Sequence, residues 1–145
     1  MSKSLFLSVL LGAAVTCLGA SLMARQAAPV VDAEAAKIKN PIASSPESIA
    51  AGKKAYTTAC ASCHGADAEG AEKAGIVISV IEDAGGKQPP ALNDDKWDLG
   101  STDGEIFSVI SNGVGPQMFM APWKGRIPDA DIWNIVNYLR SIAKK

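Results

Sequence analysis

The residues best suited to chemistry occupy five consecutive positions, Cys60-Ala61-Ser62-Cys63-His64, in which two thiols stand three apart and an imidazole follows the second. Three kinds of chemistry use such groups. A tetrahedral zinc site needs about four cysteine, histidine or carboxylate donors, yet His64 is the only histidine of the chain, and the one further cysteine, Cys17, lies in an apolar N-terminal stretch. A dithiol redox pair is expected beside a strand-helix-strand alternation, whereas the sequence around these cysteines reads as helical. Covalent haem attachment remains, and Cys-x-x-Cys-His is its spacing. On one helical turn both sulfurs reach the two vinyl groups of a single porphyrin, and His64 is then held beneath the iron. The expected cofactor is one haem c, bound through Cys60 and Cys63. Because thioethers release the group only by bond breakage, a small domain is free to expose the haem edge.

A sixth iron ligand must come from elsewhere in the chain. With no second histidine, two imidazoles of one chain cannot share the iron, and a thioether is the soft donor left. Met118 and Met120 both fall in the segment 114–123, which its glycines and prolines mark as a loop. Either one closes the coordination sphere, raises the reduction potential relative to harder ligands and leaves no position for oxygen or peroxide. The other is then a flexible core filler. A closed iron fits electron transfer rather than a haem enzyme or gas sensor. Trp97 and Arg126 carry an indole N–H and a guanidinium, both suited to the propionate carboxylates of a haem.

Helices are needed to position these groups, and their signals are local. Ser45-Pro46-Glu47 joins an N-cap, a first-turn proline and an acid at the positive helix end, which predicts a helix running from there to Cys60. Thr102-Asp103-Gly104-Glu105 has capping-box spacing, with Ile106, Phe107, Val109 and Ile110 behind it and Asn112-Gly113 as a stop. In the last helix Ile132, Val136, Leu139 and Ala143 recur every three or four residues, and Ile135 and Ile142 widen the stripe. Asp129 and Asp131 near its start and Lys144 and Lys145 at its end complement the helix dipole. Trp133 is expected in the core. The predicted fold class is all-α, a small helical domain wrapped around one haem.

The rest of the chain bounds its setting. A length of 145 residues with 48% hydrophobic content suits one compact domain. Fourteen basic residues against 15 acidic ones supply none of the positive field that a phosphate backbone demands, which excludes nucleic acid as a partner. Lys3 followed by the apolar residues 5–24 reads as an export signal over 1–24, and the same stretch is long enough to remain uncut as a membrane anchor. Either way the domain is periplasmic or otherwise exported. Residues 25–44 are rich in Ala, Val and Pro, alternate charges and lack an aromatic, so they read as a linker to a domain over 45–145.

From about residue 45 to 143 the chain resembles class I cytochrome c. That resemblance implies a crossing of the first and last helices at Gly52 and Tyr56, with Tyr138-Leu139 facing it. It implies Met120 rather than Met118 as the axial ligand, since Met120-Ala121-Pro122-Trp123 matches the order of methionine, proline and aromatic. It also implies that Pro90, in Pro90-Ala91-Leu92, accepts the proton of the His64 ring nitrogen that does not bind iron. The chain departs from the short family pattern between His64 and Pro90, where Gly75-Ile76-Val77-Ile78-Ser79-Val80-Ile81 could be a strand, an extra helical turn, a flap or a docking patch. The function so implied is one-electron transfer without catalysis, by a monomer meeting redox proteins transiently, or by the same domain fixed as a subunit to a dehydrogenase or oxidase. Mass spectrometry of the exported protein is expected to find the polypeptide heavier by one haem, and Cys60→Ala combined with Cys63→Ala to abolish the increment.

Overall fold

A computed structural model describes residues 32–115 and 119–144; the signal or anchor expected over 1–24, residues 25–31 of the expected linker, and Met118 lie outside the described residues. Among the described residues five α-helices follow a short 3-10 turn at Ala35–Lys37: α1 Pro46–Ala59, α2 Ala61–His64, α3 Ser79–Asp83, α4 Asp103–Asn112 and α5 Asp129–Ile142. Among the described residues there is no strand, only isolated bridges pairing Val114 with Met120 and Lys124 with Ile127. The all-α expectation is met. No helix of the described residues is long and apolar enough to cross a membrane.

Local chemistry explains where the helices begin. The Ser45 hydroxyl accepts from the Ser48 N–H and Pro46 opens the first turn of α1. At α4 the Thr102 hydroxyl accepts from the Glu105 N–H while the Glu105 carboxylate accepts from the Thr102 N–H, a complete capping box. Those bonds, led by the one from the Thr102 backbone, hold the Glu105 carboxyl below its ordinary range.

The core forms where α1 crosses α5. Gly52 is buried there, and a Cβ in its place would lie 1.9 Å from the Asn134 carbonyl oxygen and 2.9 Å from the Tyr138 Cβ. One turn further along α1, Tyr56 meets Tyr138 with ring centroids 5.3 Å apart and planes tilted by 51°. Ile132, Ile135, Val136 and Leu139 fill the space behind them, each at most 1% exposed. On the other side of α5, Phe107 of α4 stacks on Trp133 at 4.0 Å.

Residues 32–44, expected as linker, are instead part of the fold. The Asn40 amide donates to the Trp133 carbonyl and the Asn137 side-chain oxygen, both at 3.0 Å. Asn137 in turn donates to the Ile42 carbonyl at 3.0 Å and to the Ser48 hydroxyl at 2.8 Å, and Ser48 donates to Asn134 at 2.7 Å. Ala35 packs beneath α4 so closely that a Cβ on Gly104 would stand 2.0 Å from its carbonyl oxygen. Short polar side chains and a glycine do the docking, in place of an aromatic anchor. In the run 75–81, Ile81 is buried within α3 while Val77 and Val80 are 68% and 66% exposed, so that run makes one helical turn rather than a strand.

Gly52→Ala is expected to force α1 off the α5 backbone and lower stability by about 3 kcal/mol or more, read as the loss of unfolding midpoint in urea titrations of the haem-loaded protein.

Candidate haem-binding site

α1 delivers the cysteines. Its last bond, from the Cys60 N–H to the Tyr56 carbonyl at 2.8 Å, leads directly into α2, where the Cys63 and His64 N–H groups both donate to the Cys60 carbonyl at 3.0 Å. Both thiols are free and half-buried. Burial, and then the neighbouring Cys63 sulfur, pushes the Cys60 thiol up to about 12, so it is uncharged at neutral pH.

The imidazole is aimed by its surroundings. His64 Nδ1 lies 3.0 Å from the Pro90 carbonyl oxygen; a carbonyl only accepts, so the proton resides on Nδ1 and the lone pair on Nε2. Burial pulls the ring pKa below its ordinary value, against the opposing effect of the Pro90 bond, and keeps the ring neutral. A neutral ring with Nε2 open is the form that ligates iron.

Pro90 is held by a short ladder between the loop after α2 and residues 89–93. The Ala71 N–H donates to the Pro89 carbonyl at 3.0 Å, the Leu92 N–H to the Ala68 carbonyl at 2.8 Å, and the Asn93 amide to the Asp67 carbonyl at 2.7 Å. Gly70, at φ +87°, donates to the His64 carbonyl at 2.9 Å and lies so close to the ladder that a Cβ would meet the Ala91 nitrogen at 2.6 Å. From the core side, the buried Tyr56 hydroxyl donates to the Gly65 carbonyl at 2.8 Å.

Met120 lies in the segment that returns from α4. The Val114 N–H donates to its carbonyl at 2.9 Å, while the Trp123 and Lys124 N–H groups donate to the Ile110 and Ser111 carbonyls at 3.1 Å. These bonds cap α4 and fix the backbone at Met120 and just after it, and the Met120 side chain is half-buried against the core. Trp97, also half-buried, carries the Arg140 guanidinium 5.9 Å above its ring, and Arg140 bonds the Asp103 carboxylate at 2.8 Å and the Ser101 carbonyl. Arg126 is exposed and lies 5.9 Å over the ring of Trp123. Arg140 was not foreseen; it stands on the polar side of α5, where a sequence shows only a solvated charge.

Cys60, Ala61, Leu92, Trp97, Met120 and Trp123 all pack, half-buried, against the same core. An incompletely covered apolar surface, two free thiols and an imidazole with one nitrogen open together fit a large flat group bearing vinyls and an iron.

The family model described as cytochrome c oxidase, cbb3-type, subunit III matches residues 47–139. The chain belongs to this cytochrome c family. It is a class I c-type cytochrome domain, and its cofactor is haem c. It is 34% identical over 100 residues to the cbb3-type cytochrome c oxidase subunit FixP of Azorhizobium caulinodans, covering 65% of this chain and 29% of that protein. It is 32% identical over 103 residues to subunit CcoP of Rubrivivax gelatinosus, covering 70% and 28%. The chain thus spans less than a third of the length of these curated relatives. Among solved structures, cytochrome cL of Methylophaga aminisulfidivorans superposes with a TM-score of 0.53 at 29% identity, over 68% of this chain and 55% of the other. A chain of the Kuenenia stuttgartiensis reducing HAO-like protein complex shares the fold, with a TM-score of 0.59 at 23% identity over 80% and 50%.

Tyr56→Phe strips the donor from a buried carbonyl and is expected to cost about 1–3 kcal/mol in chemical denaturation. Burial raises the phenols of Tyr56 and Tyr138 above their ordinary range. Unfolded tyrosines therefore ionise first, so this contribution is complete below about pH 10 and fades as the pH rises past it. Stability measured from pH 8 upward is expected to show that fade, and Tyr56→Phe to shrink it.

Proposed function

We propose that this domain is a one-electron carrier working outside the cytoplasm, with His64 and Met120 as the axial donors and no substrate chemistry of its own. The observation that carries this reading is the His64 Nδ1 contact with the Pro90 carbonyl at 3.0 Å, beside two free thiols on the same helical turn. Haem c, when bound, supplies an iron that gains and loses one electron. Pro90 fixes the plane of the His64 ring and strengthens it as a donor. Met120 would offer a thioether to the iron from a backbone bonded to α4, leaving no place for oxygen or peroxide. Donors held by these bonds would shift little between the two oxidation states, which would keep the reorganisation on electron transfer small. Trp97 and Arg126 serve the propionates, with Arg140 as a further cation at Trp97.

Encounters with redox proteins are brief and small in area, as is usual for electron-transfer partners, and the carrier is a monomer. Residues 1–24 export it, or residues 5–24 keep it at the membrane surface. A second reading is favoured by the oxidase-subunit description of the matching family: the same domain works as the fixed electron-transfer subunit of a larger complex. Co-purification from the native membrane and soluble fractions separates the two.

Optical and redox titration of variants tests the ligand set. Met120→Ala is expected to abolish the sulfur-to-iron charge-transfer band of the ferric protein and lower its potential by on the order of 100 mV, within the roughly 0.8 V span that axial ligands control. Met118→Ala is expected to leave both unchanged. The reverse pattern would reassign the ligand to Met118.

A further inference from the structure

Residues 76–88 make an excursion between α2 and Pro90 that the site described so far does not use, and their contacts give them a task. The neck of the excursion is latched by one side chain. The Gln88 amide oxygen accepts from the Ile78 N–H and its nitrogen donates to the Ile78 carbonyl, both at 3.1 Å, so a single side chain satisfies both backbone groups of that residue. Below the latch, the Ile76 N–H donates to the Ala71 carbonyl at 2.8 Å, and Ala71 donates to Pro89. The tip is α3, in which Ile81 is 3% exposed and its carbonyl accepts from the Gly86 N–H at 2.8 Å.

That tip meets Phe119, the residue directly before Met120. A Cβ on Gly86 would lie 2.8 Å from Phe119 Cε2 and 2.9 Å from Ile81 Cγ2, so ring, glycine and isoleucine are in close contact. The foot of the excursion stands two residues ahead of Pro90, whose carbonyl holds His64. One folded unit therefore bears on the supports of both axial donors.

We propose that residues 76–88 are a brace that presses the segment 119–123 inward and slows departure of the Met120 sulfur from the iron, with Gln88 as its latch and Ile81, Gly86 and Phe119 as its contact. This rests on Met120 being the axial donor. Its physical basis is local stability. A surface loop with few buried contacts opens at small free-energy cost, and among the described residues the segment of Met120 is otherwise held by main-chain bonds at Val114, Trp123 and Lys124 and by the half-buried Met120 side chain itself. The contact of the partly exposed Phe119 with Gly86, beside Ile81, adds a second apolar hold on that segment. Ile81, Gln88 and Phe119 are positioning residues, acting on the iron only through Met120.

Imidazole binding to the ferric, haem-loaded full chain reads the effect, because the probe enters as the sulfur leaves. Gly86 does not adopt a left-handed conformation, so Gly86→Ala adds a methyl wedge between Ile81 and Phe119 without backbone strain, and Gln88→Ala opens the latch. Each is expected to accelerate imidazole binding about tenfold, the effect of a tenfold rise in the open population, while the charge-transfer band persists. Asn137→Ala, which weakens the fold at the docking of residues 40–42, is expected to stay within about twofold of the parent. Parent-like rates in both brace variants, or equal acceleration by Asn137→Ala, would overturn the brace. Unchanged band and rate in Met120→Ala would instead overturn the ligand assignment, and the brace with it.

Discussion

α1 and α5 cross where Gly52 meets the backbone of Asn134, and that crossing sets the direction in which α1 delivers the two cysteines and His64. A residue with any side chain would hold the helices apart, because the space a Cβ needs is occupied by a carbonyl oxygen 1.9 Å away. Close approach brings the Tyr56 ring onto Tyr138 and aims its hydroxyl at the Gly65 carbonyl. Cys60 follows one turn later, so the direction of α1 decides where the two sulfurs and the imidazole lie. Loss of packing at the crossing would therefore displace chemistry eight residues away.

Downstream of the crossing, main-chain hydrogen bonds do most of the positioning. The loop after α2 and residues 89–93 form a ladder that presents the Pro90 carbonyl to His64, while the end of α4 is capped by the segment carrying Met120. Such bonds each add about 1 kcal/mol net, so their value lies in geometry more than in stability. The half-buried apolar residues packed against the core offer a surface that haem c would cover. Covering that surface would remove apolar area from water at about 25 cal/mol per Å², a gain in stability on haem attachment.

The same economy explains the two departures from a minimal domain. Residues 32–44 dock through Asn40, Asn137 and Ser48, closing a polar network that would otherwise leave buried amides unpaired. Residues 76–88 close on themselves through Gln88 and lean on Phe119. In both cases amide side chains bond backbone groups and hold the segment in place.

How much of this was legible in the sequence follows from the range of each interaction. The Cys60 to His64 spacing, the caps at Ser45 and Thr102 and the stripe on α5 are set by neighbours within a turn or two, so residue order alone determined the cofactor and the three long helices. The bonds from Asn40 to Trp133 and Asn137 join residues more than 90 positions apart, and no local pattern announces them, which is why residues 32–44 read as linker. The run from Gly75 to Ile81 fits several templates at once, and its period does not announce the contacts it makes, the Gln88 amide on Ile78 and Phe119 at Gly86. Arg140 took its place over Trp97 for the same reason, since a charge on an exposed helix face acquires a role only when another segment folds against it.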